Sequence, residues 1–205
     1  MSPKTRRLVV CIIPGHVHST LSVLEESNGA LLVIGTLDRI APTEDIRSVR
    51  FDGDRAFVVT FKKTDPLFIF DLANPRAPHM LGELKIPGFS TYMHMMDATH
   101  LLTIGYDAAD QGNFAYFTGV LLQIFDVTDP TSPTLTHKEI IGTRGSSSEA
   151  LTNHLAFNYF QPKGVLALPM TVCEGGGDNG NYGTTMTFSG LIRALPPSLS
   201  ASLGA

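Results

Sequence analysis

Tryptophan is absent from this chain, cysteine occurs only twice, and no run of like charge extends beyond two adjacent residues. Two cysteines, Cys11 and Cys173, make neither a disulfide framework nor a cysteine zinc site. The net charge is −4, and the basic residues pair up no further than Arg6-Arg7 and Lys62-Lys63. That pattern gives no footprint for nucleic acid or an anionic bilayer. No apolar run approaches the length of a membrane-spanning helix. Lys4, Arg6 and Arg7 precede LVVCII at residues 8–13 and so imitate a short export signal. The run is too brief, Pro14 ends it, and no small-x-small cleavage site follows, so it reads as a first β-strand. A sustained 3.6-residue period is missing as well, which makes the chain nearly helix-free.

What the chain does have is a repeat. Residues 69–88 read IFDLANPRAPHMLGELKIPG, and residues 124–142 read IFDVTDPTSPTLTHKEIIG. Asp71, Pro75 and Pro78 fall on Asp126, Pro130 and Pro133, each 55 residues further on. The Asp ends a strand and accepts from amides in the next turn, while the prolines keep the crossing segment out of the ladder. Strands are expected at 20–24 and 30–36 around Asn28-Gly29, a pair suited to a tight hairpin. Others are expected at 46–51, 55–61, 67–71 and 80–86, then at 91–97, 100–106, 120–126 and 134–141. Residues 107–119 read as a long inserted loop, and 150–160, 164–172 and 186–192 as strands of a further unit. A period near 50 with this content points to an all-β array of propeller-type blades, each of four antiparallel strands. The expected blades are 1–43 (partial), 44–88, 89–142 and 143–193, three to four in all and an incomplete ring. Residues 194–205, rich in Pro, Ser and Ala, are expected to be a disordered tail. Cys11 and Cys173 are then two buried thiols, or a clasp between first and last blades.

The stretches 46–94, GVLLQIFDVTDP (119–130), IIGTRGSSSEAL (140–151) and NHLAF (153–157) resemble the prokaryotic β-propeller domain of large secreted or envelope proteins, which is distantly related to WD repeats. The corners are similar to LVIVD repeats. This resemblance implies a propeller fold and an extracellular or cell-envelope location, and it implies no particular chemistry. It departs from the family at Asn153, where an acidic residue is usual before the histidine. After Arg193 the chain turns low-complexity, which reads as a truncated member with an open sheet edge able to self-associate.

Candidate site residues fall in three places. The segment 142–149 offers Arg144, Ser146, Ser147 and Glu149. Its Gly and Ser amides suit an anion nest, or else an inter-blade connection held by Ser–backbone hydrogen bonds. It has no P-loop ending and no nucleophile elbow, and Asn153 beside His154 supplies no carboxylate for a Ser/His hydrolase. His94 and Asp97 are expected on or near an innermost strand, where they can meet Glu149 and His154 at a channel mouth. Phe114, Tyr116 and Phe117 make the 107–119 insertion an aromatic binding loop, or one folded over the blade edge. His16 and His18 are two ligands where a transition-metal site needs three or four. Asp107 to Asn113 lacks the alternating acids of a calcium loop. No metal and no cofactor is expected.

The functional expectation is a non-catalytic propeller scaffold that binds a protein or cell-envelope ligand. Its rivals are a hydrolase- or lyase-type propeller enzyme with a site at the channel mouth, and a truncated product without independent function.

Overall fold

The computed structural model describes residues 6–12, 18–61, 65–86, 88–110, 115–176, 183–195 and 198–202. These residues are almost entirely strand, arranged in four antiparallel sheets in chain order. Sheet 1 holds β1 (Arg6–Ile12), β2 (Ser19–Ser27) and β3 (Ala30–Ile40). Sheet 2 holds β4 (Asp45–Asp52), β5 (Arg55–Phe61), β6 (Asp65–Asp71) and β7 (His79–Ile86). Sheet 3 holds β8 (Phe89–Met95), β9 (His100–Asp110), β10 (Ala115–Asp126) and β11 (Thr134–Ile141). In sheet 4, β12 (Ser147–Ser148) and β13 (Asn158–Phe160) both pair with β14 (Val165–Glu174). The order then runs on to β15 (Thr184–Leu195) and β16 (Ser198–Ser202).

Alternation along the strands explains how the sheets stack. Side chains at successive positions leave opposite faces. On β5, Ala56 and Val58 therefore pack toward sheet 1 with Leu21 and Val23. Phe57 and Val59 pack toward sheet 3 with Leu101 and Phe125. On β9, Leu102 and Ile104 face sheet 4 and meet Leu166, Leu168 and Met170. Each central strand is buried on both faces, as the near-continuous apolar runs AFVV and LLQIF require. The leading strands β4 and β8 lie against each other, and the Ser48 hydroxyl donates to the Ser90 carbonyl at 2.7 Å. The first strand of each four-stranded sheet is thus the inner one. The sheets fan without closing into a ring.

The repeated corners behave as local chemistry dictates. The Asp71 carboxylate accepts from the Ala73 amide, and the Asp126 carboxylate from the Thr128 amide, each at 2.8 Å. Each corner then rests on the sheet before it. A Cβ built at Gly35 of β3 would collide with the Pro75 carbonyl oxygen, and one at Gly82 of β7 with the Pro130 carbonyl oxygen. Glycine at those two positions is what lets the next corner seat.

Three expectations are corrected. Residues 107–110 and 115–119 are no loop: β9 and β10 continue outward as paired strands, with Asp110 opposite Ala115 and a register shift between Phe117 and Gly119. Residues 150–160 are no single strand. Ser148 caps a 3₁₀ turn at Glu149–Leu151, and Asn153 caps a second at His154–Ala156. These short polar side chains draw the backbone amides away from the ladder. The tail expected to be disordered supplies β16, whose residues 198–202 pair with β15.

Candidate functional site

At the inner edge of sheet 4, two of the predicted site residues, His94 and His154, border one surface. A continuous innermost strand would run from 147 to 160, but the two 3₁₀ turns break it into β12 and β13. The break pushes residues 153–157 toward β8 of sheet 3. Tyr92 and His94 stand two apart on β8 and so share a face. The Tyr92 ring lies 4.9 Å from Phe157 and 6.4 Å from His154, nearly parallel to the latter. The His94 ring lies 5.5 Å from both Phe157 and Tyr159. His94 and His154 therefore border one aromatic surface, joined through Tyr92 and Phe157.

Charge around that surface is unequal. Burial, and behind it the Arg50 guanidinium on β4, holds the His94 pKa below the ordinary imidazole value. Arg50 Nε is itself buried without a hydrogen-bond partner. Burial, then the Asp97 carboxylate, pushes the Tyr159 phenol up. Burial also acts to raise the Asp97 pKa. Hydrogen bonds from the Thr99 amide, the His100 ring, the Thr99 hydroxyl and the His100 amide outweigh it, and the net shift is down. The 96–99 turn carrying Asp97 is clasped from both sides. Arg55 donates to the Ala98 carbonyl at 3.0 Å, and Gln161 to the Met96 carbonyl at 2.9 Å. Glu149 is exposed, and its carboxylate accepts from the Asn153 side-chain amide at 3.1 Å. His154 is exposed beside it in the chain.

The 142–149 segment is built into the sheet. The Ser146 hydroxyl is buried, accepts from the Cys173 amide at 2.9 Å and donates to the Cys173 carbonyl. Ser148 donates to the Pro169 carbonyl and accepts from the Ala150 amide. Ser147 lies in β12 opposite Thr171. Arg144 is half-buried. No serine of this segment hydrogen-bonds His154 among the described residues, so no Ser/His pair forms. Cys173 is buried, while the side chain of Cys11 lies outside the described residues.

In the 107–119 segment, Phe114 and the side chain of Tyr116 lie outside the described residues. Phe117, 42% exposed, packs 5.1 Å from Phe89 and 5.4 Å from Tyr106. Arg47 sits 5.4 Å over Phe61 and Phe89 in the same cluster. Asp107 in the same segment holds Lys138 at 2.7 Å and Thr118 at 2.8 Å. His16 is outside the described residues, and His18 lies 3.3 Å from Asp38. No cluster of three or more metal-ligating side chains occurs among the described residues.

The sequence reading missed Tyr92, Phe157 and Tyr159. The signal available was their alternation with His94 and their place beside two capping residues. It also missed a cleft of about 350 Å³ between sheets 1 and 2, lined by the end of β3, the crossing to β4, and β6 and β7.

Stacked four-stranded antiparallel sheets with inner leading strands and Asp-Pro corners define a propeller-type repeat protein. Residues 15–194 match the β-propeller domain family, and the chain belongs to it. It is 42% identical over 149 residues to an uncharacterised protein of Archaeoglobus fulgidus, covering 73% of this chain and 22% of that one. It is 43% identical over 103 residues to an uncharacterised protein of Methanocaldococcus jannaschii, covering 50% of this chain and 15% of that one. The chain thus spans less than a quarter of the length of these relatives.

Proposed function

We propose that this chain is a non-catalytic propeller scaffold that binds a protein or cell-envelope ligand in an extracellular or envelope setting. The observation that carries the reading is the interrupted inner strand of sheet 4. It leaves Leu155 75% and Phe160 55% exposed, next in the chain to His154 and Tyr159. Large exposed apolar side chains on a rigid aromatic backing are the anchors that recognition surfaces use. Glu149 and His154 supply polar groups at the same place. The envelope location rests on the resemblance of the repeats.

Cosedimentation of the purified chain with an envelope fraction from its source organism tests the reading. Wild-type protein is expected to sediment with the fraction. The double variant Leu155→Ser, Phe160→Ser is expected to bind at least about tenfold more weakly with an unchanged thermal midpoint, since hot-spot truncations cost that much. Equal sedimentation of both proteins refutes it.

A further inference from the structure

The cleft between sheets 1 and 2 lies apart from the aromatic surface just described. Its apolar lining comes from Leu37 of β3, Phe68 and Phe70 of β6 and Met80 of β7. The two phenylalanine rings are stacked at 6.2 Å, and Met80 is half exposed. One wall is the crossing from β3 to β4, and its backbone is unusual. Arg39, Ala41 and Thr43 hold φ of 57°, 44° and 72°, a left-handed conformation that side chains other than glycine's rarely adopt. The crossings that follow sheets 2 and 3 make their left-handed step at glycine instead, Gly88 with φ 95° and Gly142 with φ 69°. Of these three, Arg39 and Ala41 line the cleft, and such clustering of strained backbone is seen where a backbone is held for binding.

The cleft is lined by the carboxylates Asp38, Glu44 and Glu83 and by the cations Arg39 and Lys85. The Asp38 carboxylate accepts from the Thr20 hydroxyl at 2.6 Å and lies 3.3 Å from His18. The Glu44 carboxylate accepts from the Thr60 hydroxyl. Glu83 lies 3.4 Å from Lys85. The Arg39 backbone amide donates to the Asp38 carboxylate, and the positive charge of Arg39 helps hold the Asp38 pKa down. The Arg39 side chain itself makes no hydrogen bond and no close ion pair among the described residues. Arg39 lines the same cleft as Phe68 and Phe70.

We propose that this cleft binds a small organic anion with an apolar, aromatic body, its carboxylate held by Arg39 and its ring against Phe68, Phe70 and Met80. The volume suits a ligand of that size, since small-molecule sites begin near 300 Å³. A guanidinium grips a carboxylate through two parallel hydrogen bonds, which fixes the ligand's orientation as well as its charge.

Calorimetric titration of the full chain with 3-phenylpropionate, 3-phenylpropanol and 3-phenylpropylamine tests it. The three probes share one body and differ in charge. The acid is expected to bind saturably, and the alcohol and amine at least about tenfold more weakly. Arg39→Gly separates binding from folding, because glycine accepts φ 57° without strain. That variant is expected to unfold no earlier than wild type and to lose at least about tenfold in affinity for 3-phenylpropionate. Arg39→Lys should retain part of it. The proposal is overturned if the acid does not bind, if the alcohol binds as tightly as the acid, or if Arg39→Gly binds unchanged.

Discussion

His94 sits half-buried between Phe157 and Tyr159, and its protonation is coupled to folding. Burial and Arg50 lower its pKa in the folded state below the unfolded value of 6.5. The unfolded chain therefore binds more protons as the pH falls through 6.5, and stability drops in that window. Denaturation midpoints measured between pH 8 and 5 are expected to decline in the wild type and to decline less in His94→Phe. Gln123 poses a different problem at the same scale. It is 1% exposed on β10, opposite Thr103, and both its polar atoms and the Thr103 hydroxyl lack hydrogen-bond partners. A buried polar group left unpaired is costly. Gln123→Met keeps the shape and removes the unpaired amide. It is expected to raise the unfolding free energy by about 1 kcal/mol in urea titrations. A loss of similar size would show that buried water satisfies the amide.

Among the elements, the corner on its glycine is the recurring joint. Gly82→Ala places a Cβ against the Pro130 and Thr131 carbonyls, so sheet 3 must shift to admit it. About 1–3 kcal/mol of destabilisation is expected in the same titrations, the usual cost of overpacking. These joints also show what sequence makes legible. Asp71 and Asp126 end strands and bind the amides two residues on, so type, spacing and role of the corner could all be read. The Asn28-Gly29 turn was equally plain, with φ 53° and 78°. The 150–160 segment misled because its apolar residues looked strand-like while Ser148 and Asn153 decided the outcome. Residues 107–110 and 115–119 misled because the segment carries no clean alternation, yet backbone pairing needs none. His94 and His154 could be placed near one another by counting strands, whereas their aromatic partners could not. The cleft was invisible, since nothing in the letters RIAPT at 39–43 announces a left-handed backbone.

At the scale of the whole molecule, each sheet buries its faces against its neighbours in the chain. The three core clusters join sheets 1 and 2, sheets 2 and 3, and sheets 3 and 4. No core cluster joins sheet 1 to sheet 4 among the described residues. Stability is then a sum of unit and neighbour terms, as in other stacked repeats. Leu21→Ala, which opens the sheet 1–2 core, should lower hydrogen-exchange protection in sheets 1 and 2 and leave β14 unchanged. Equal loss across all four sheets would instead show one cooperative unit.

The seating of each corner on the preceding sheet's glycine also governs how such a gene can grow. Residues 44–88 encode a unit with both halves of the joint, the corner at Pro75 and the socket at Gly82, so a tandem copy would fit onto itself. The following unit has the corner but carries His137 at the place 55 residues after Gly82, with the same register against β10 that Gly82 has against β6. A duplicate of that unit would meet an imidazole where its ancestor met a hydrogen atom. Lengthening by duplication is therefore open at the second blade and barred at the third.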